Sequence, residues 1–342
     1  MVFKMALVGE CYGEEEALYK RPFIGTAGEQ FNTLLADAGI RREECFITNV
    51  FNLRPPGKNI ESLCGPPRDP GVIPGRPSLT RGLYLRKEYE GELTRLTKEL
   101  EDYRPNIIVA LGNTASWALL DTGAISKIRG TCTYSKTPPG VKLLPTHHPA
   151  DLRAQPKLRH VTVLDLLKAK REAEFPELRR PVREIWMDPS LSDMETFFEA
   201  YCLPTKQIAY DVETANGQIT CIGFSPSINR AIVISFLDYR FPGGHYWPTV
   251  EAEVAAWEWV RRTLNLPGVA YITQNGLYDV QYLWKAHGIS CRIDEDTMLL
   301  HHALQPESKK SLGFLGSVYT NEIAWKPQRP RGKHSEKPED SE

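Results

Sequence analysis

The chain has 342 residues, enough for two domains that each bury a core of their own. Its 42 basic and 43 acidic residues nearly cancel, so no global field draws it to a polyanion. Nucleic-acid contact would have to come from local clusters such as Lys157, Arg159 and His160, or Lys168, Lys170 and Arg171. Seven cysteines without paired spacing point to reduced thiols and a cytoplasmic setting. No apolar run reaches the ~18 residues of a membrane span, and Met1-Val2-Phe3-Lys4 does not read as a signal peptide.

Met5 to Val8 reads as a strand and runs into Gly9-Glu10-Cys11-Tyr12-Gly13, followed by Arg21-Pro22-Phe23-Ile24-Gly25-Thr26-Ala27-Gly28. A second strand, Cys45 to Val50, ends on Thr48-Asn49-Val50 and precedes Arg54-Pro55-Pro56-Gly57. Residues 58 to 80 form an irregular Pro- and Gly-rich stretch, and a long helix is expected from about Arg81 to Tyr103. The run Ile107 to Gly112 comes next, and a strand from Val141 to Leu144 leads into Pro145-Thr146-His147-His148-Pro149-Ala150. Open α/β sheets gather their chemistry at the carboxyl ends of strands. The blocks should therefore converge on one cleft holding a carboxylate, an aromatic ring, an amide and a histidine.

In their order these motifs resemble the uracil-DNA glycosylase superfamily, most of all its family 4 branch, over residues 5 to 172. The resemblance implies a parallel-sheet α/β domain over 1–173 that hydrolyses the N-glycosidic bond of uracil in DNA, with neither covalent nucleophile nor metal. It implies base flipping, with Phe23 stacked on the uracil and Asn49 reading its polar edge. His148 would donate to the developing oxyanion, and Glu10 would orient the water or balance the sugar cation. Arg54 and Arg153 would contact DNA, with Leu152 as a wedge beside the bases. Cys11-Tyr12 departs from the Ala-Pro of the branch. The iron–sulfur cluster typical of that branch is not expected, because it needs four thiolates. The chain begins too late for the usual amino-terminal pair, Leu53 stands where a ligand cysteine is often found, and Cys64 alone is near.

Residues 174–203 are expected as linker and short connecting elements, with Pro176 and Pro181, a strand at Glu184–Met187 and a helix at Leu191–Tyr201 capped by Ser190 or Ser192. The strand Gln207 to Thr214 then delivers Asp211 and Glu213 to one face. Strands Ile219–Phe224 and Ala231–Ser235, a helix Glu251–Thr263, a strand Val269–Thr273 and Gln274-Asn275-Gly276-Leu277-Tyr278-Asp279 follow. This order resembles the 3′–5′ exonuclease domain of the DEDD superfamily found in family A DNA polymerases, a ribonuclease-H-like mixed sheet over 204–326. The resemblance implies Mg²⁺ or Mn²⁺ held by Asp211, Glu213 and Asp279, with Asn275 and Tyr278 lining the nuclease groove. The third motif of that family is lacking, so weak or no exonuclease activity is expected of this chain alone. Residues 327–342 read as a disordered tail.

Together the two halves resemble the front portions of some bacteriophage-type polymerases. The expected partners are DNA, uracil-containing or single-stranded, and a separately encoded polymerase remainder, in a host cytoplasm and not a membrane. Two alternatives stay open: a non-catalytic DNA-binding or polymerase-docking factor, and a metal-dependent exonuclease whose first domain only positions DNA.

Overall fold

Met5, Ala6, Leu7 and Val8 are completely buried, as a central parallel strand covered on both faces must be. The computed structural model describes residues 3–238, 240 and 242–322. They divide into two units, one running to Arg179 and resuming at Gly313, the other spanning Arg180–Leu312.

The first unit is built on β1 (Met5–Cys11), β2 (Cys45–Phe51), β3 (Ile107–Leu111), β4 (Thr133–Lys136) and β5 (Pro139–Thr146), in the spatial order β2-β1-β3-β5-β4. All neighbours are parallel except β4 with β5. The period of two along β1 sorts its side chains between two layers. Ala6 and Val8 pack with Leu93, Leu96 and Leu100 of helix Glu90–Tyr103. Met5 and Leu7 pack with Phe31 and Leu34 of helix Thr26–Asp37 and with Leu166 and Ala169 of helix Leu158–Glu172. This is the expected parallel-sheet α/β domain.

One stretch differs from the sequence reading. The helix expected from Arg81 starts only at Glu90, because Tyr84–Leu85 pairs with Cys64–Gly65 as a small antiparallel ladder. The irregular stretch before it is tied down by that ladder, with Leu63, Ile73, Leu79 and Leu85 buried in the core.

The second unit carries a six-stranded mixed sheet of β6 (Glu184–Met187), β7 (Gln207–Ala215), β8 (Gln218–Ser227), β9 (Arg230–Ser235), β10 (Ala270–Thr273) and β11 (Glu295–Asp296), ordered β11-β10-β7-β8-β9-β6. β7, β8 and β9 form the antiparallel meander, and β10 joins β7 in parallel after helix Val250–Thr263. Ser190 is the cap of helix Leu191–Phe197, in a reciprocal capping box with Asp193. The core holds Tyr210, Val212, Ile222, Phe224, Ile232 and Ile234 against Trp259, whose indole donates to Met194 O at 2.9 Å.

The helix Leu312–Tyr319 was expected to close the second domain, yet from Gly313 onward it belongs to the first unit. Lys168 explains the difference. Its ammonium, expected as a possible surface DNA contact, is 2% exposed. It donates to the carbonyls of Gly130 (2.8 Å), Ser317 and Thr320 (2.7 Å), so it neutralises the carboxyl end of that helix. Phe314 lies under the Arg129 guanidinium, and Asn321 donates to Glu172 at 2.8 Å. Residues 327–342 lie outside the described residues.

Candidate active site

The strand ends of the first unit bring Glu10, Phe23, Asn49 and His148 together around Gly9. An added Cβ at Gly9 would stand 2.3 Å from Asn49 Oδ1 and 2.5 Å from Phe23 Cζ, so only glycine lets the amide and the ring share that floor. Asn49 is buried, and its backbone carbonyl is held by Arg95. Phe23 stacks on Phe31 at 4.5 Å between centroids and faces the His148 ring at 5.8 Å. Its backbone takes φ 55°, a left-handed conformation that a large side chain adopts only when the surroundings hold it there. Gly28 is one such constraint, since a Cβ there would meet Phe23 O at 2.1 Å.

His148 lies on the loop after β5. The Ala150 amide donates to its Nδ1 at 3.2 Å, which leaves the proton of a neutral ring on Nε2. Burial pushes the imidazole below its ordinary range, while the charges of Glu10, Asp151 and Glu16 oppose that shift. The site thus offers a neutral N–H donor and a partly buried carboxylate, Glu10, which accepts the Thr114 hydroxyl on Oε2.

Three polar residues that sequence reasoning passed over support this floor. Arg95 donates to Asn49 O at 2.8 Å and Val50 O at 3.0 Å, and is held by Glu92 and Glu99. It caps the outer side of β2, an edge strand. Glu16, 7% exposed, accepts the Gly25 amide at 3.3 Å and ties the two halves of the first motif together. The third is Thr114. The Glu92-x-x-Arg95-x-x-x-Glu99 spacing was the available signal for the first of these.

The expected DNA contacts divide. Arg54 pairs with Glu14 at 3.2 Å, and Arg153 is exposed. Leu152 does not project as a wedge: it is 6% exposed and packs in the core beside the sheet. With Gln30, Arg153, Pro156 and Arg159 it lines an open hollow of about 410 Å³. An iron–sulfur cluster does not fit the cysteines present. Cys45 bonds Arg41 O at the start of β2, Cys64 bonds Ile60 O within the core, and Cys11 ends β1. Burial pushes the thiols of Cys11 and Cys45 up to about 12 and that of Cys64 to about 11.

In the second unit Asp211 and Glu213 are exposed on β7, and Asp279 is buried in the first turn of helix Leu277–His287. Asp279 accepts the Val212 amide at 3.0 Å. Burial first, then the charge of Asp211, pushes its carboxyl up to about 7. Oxygen donors of this kind suit a hard divalent cation. The three expected ligands are divided between β7 and that helix, and among the described residues no group of three acidic, histidine or cysteine side chains is gathered closely enough to hold one. Asp296 offers no replacement, since its carboxylate accepts the amides of Asn275, Gly276, Met298 and Leu299. Asn275 is exposed, and Tyr278 bonds the Thr214 hydroxyl at 2.5 Å.

A parallel α/β unit that gathers a carboxylate, an amide, an aromatic ring and a neutral histidine at its strand ends has the layout of a base-excising hydrolase. The family described as the uracil DNA glycosylase superfamily matches residues 3–175, and the chain belongs to it. The type-4 uracil-DNA glycosylase of Archaeoglobus fulgidus is 32% identical over 171 residues, covering 48% of this chain and 74% of that protein. That of Thermotoga maritima is 33% identical over 171 residues, covering 49% and 76%. Among solved structures, the EXO domain of Aedes aegypti Nibbler has a TM-score of 0.32 at 13% identity, covering 43% of this chain and 74% of that one. Escherichia coli RNase D has a TM-score of 0.30 at 14% identity, covering 41% and 34%. Likenesses at that level bear on neither activity nor substrate. Among the described residues no helix is long and apolar enough to cross a membrane.

Proposed function

We propose that the first unit hydrolyses the N-glycosidic bond of uracil in DNA, and does so without an iron–sulfur cluster. The observation that carries this reading is the shared floor at Gly9, where the buried Asn49 amide lies against a held aromatic ring. The Phe23 ring takes the face of a flipped-out base, and the Asn49 amide can both donate and accept along its edge. As the bond breaks, negative charge grows on the departing base and positive charge on the sugar. His148 Nε2–H meets the first, being neutral and oriented through Nδ1. The Glu10 carboxylate meets the second or orients the attacking water.

The second unit is read as a nucleic-acid-handling module with weak or no exonuclease activity of its own, a reading that rests on the lacking third motif. We place the chain in DNA repair, with DNA as its partner and a polymerase as the machinery it serves.

The test is base release from an oligonucleotide holding one uracil, in excess EDTA, followed by alkali. An alkali-labile cut at the uracil is expected, reduced roughly 10²–10³-fold in His148→Ala and in Asn49→Ala. Binding of the oligonucleotide with no cut would refute the glycosylase and favour a DNA-binding factor.

A further inference from the structure

We propose that Thr114 is the positioning residue for Glu10, holding one carboxylate oxygen so that the other is free to take the attacking water. The inference rests on Glu10 acting in the glycosylase reaction.

The helix Gly112–Leu120 starts directly at the end of β3, next to β1 in the sheet. Gly112 makes that start possible. It takes φ 87°, and a Cβ on it would stand 3.0 Å from His148 Cβ, so the histidine closes over a bare backbone. Two residues later, Thr114 is 4% exposed and its hydroxyl donates to Glu10 Oε2.

Thr114 lies in the first turn, where the residue four earlier, Ala110, is still in β3, whereas Ser116 two residues on bonds back to Gly112 O at 2.9 Å. Thr114 spends its single proton on the carboxylate instead. Among the described residues the remaining oxygen, Oε1, meets only the Cys11 thiol, at 3.9 Å. Burial pushes that thiol up to about 12, so it stays neutral and competes weakly. One oxygen is therefore fixed and the other available. A single helical turn thus sets both reacting groups, Glu10 through Thr114 and His148 through Gly112.

The alternative is that Thr114 merely satisfies a partly buried carboxylate, and the two roles separate in a mutant cycle. Thr114→Val, Thr114→Ser and Thr114→Ala are made in the full chain, alone and with Glu10→Gln. Single-turnover base release, KM for a uracil oligonucleotide and melting temperature are measured for each.

Positioning predicts that Thr114→Val slows release about 10–100-fold with KM within about twofold. Thr114→Ser should restore the rate to within about threefold, and neither change should matter further in the Glu10→Gln background. A Thr114→Val enzyme within about twofold of the parent, or one that loses as much again without Glu10, overturns the proposal. If valine prevents folding, the comparison of Thr114→Ser with Thr114→Ala decides, and equal rates overturn it. A Glu10→Gln enzyme as active as the parent refutes the role of Glu10 itself. That outcome is distinct from an active Glu10 that ignores Thr114.

Discussion

Raising the pH from about 4 to 7 should destabilise the second unit, and Asp279→Asn should remove most of that dependence. Asp279 is 2% exposed, and burial, Asp211 and Asp296 together raise its carboxyl from 3.8 to about 7. The folded unit therefore binds this proton more tightly than the unfolded chain does. Its contribution is fully present below the unfolded value and is lost as the pH rises through about 7. A shift of about three units corresponds to a ceiling of about 4 kcal/mol, and relaxation around the charged form should leave about 2 kcal/mol observable. The assay is urea unfolding followed by tryptophan fluorescence in EDTA at a series of pH values. The parent should lose stability between about pH 4 and 7 and level off above that, while Asp279→Asn stays nearly flat. Equal pH profiles for the two proteins would refute the assignment. Adding Mg²⁺ at the alkaline end supplies a second reading, since a cation shared by Asp211 and Asp279 would restore the lost stability.

Arg95→Met should destabilise the first unit by about 2–4 kcal/mol, because two carbonyls of an edge strand lose their donor and Glu92 and Glu99 lose their counter-charge. Calorimetry should show the melting temperature falling by about 4–16 °C, and an unchanged value would refute the clamp. Lys168→Met should release the helix Leu312–Tyr319, raising amide exchange across residues 312–322 while β1 and β3 stay protected. Undiminished protection of that helix would show that Lys168 does not hold it.

The strands were legible because the chain writes them as apolar runs that end up buried on both faces, as in Met5–Val8 and Ile107–Leu111. The same strands set where the site is expected, because in a parallel sheet chemistry gathers at strand ends. Polar residues that face inward were less legible. Thr114, Arg95 and Lys168 each look like part of a solvated helix face in one dimension, and only packing reveals the carboxylate or carbonyls they serve. Leu152 erred in the other direction. An apolar residue on a loop beside a DNA-facing site reads as a wedge, but the sheet's own core claims it.

The same inward-facing charges explain why the first unit is not a simple N-terminal block. Arg129 donates to both oxygens of Asp165, at 3.1 and 2.7 Å, and Thr146 adds a third bond at 2.6 Å. Thr146 ends β5, two residues before His148, so this buried cluster is the footing of the histidine loop. Phe314 covers Arg129, and the carbonyls at the end of its helix complete the shell of Lys168 next to it. Breaking a buried charged network by removing one side costs more than its net worth, because the remaining charge has lost both water and partner. A chain cut after Arg179 would do that to Lys168, although every residue proposed for catalysis would still be present. The sequence supplying the glycosylase unit is therefore discontinuous, and residues 313–322 belong in any fragment meant to retain its activity.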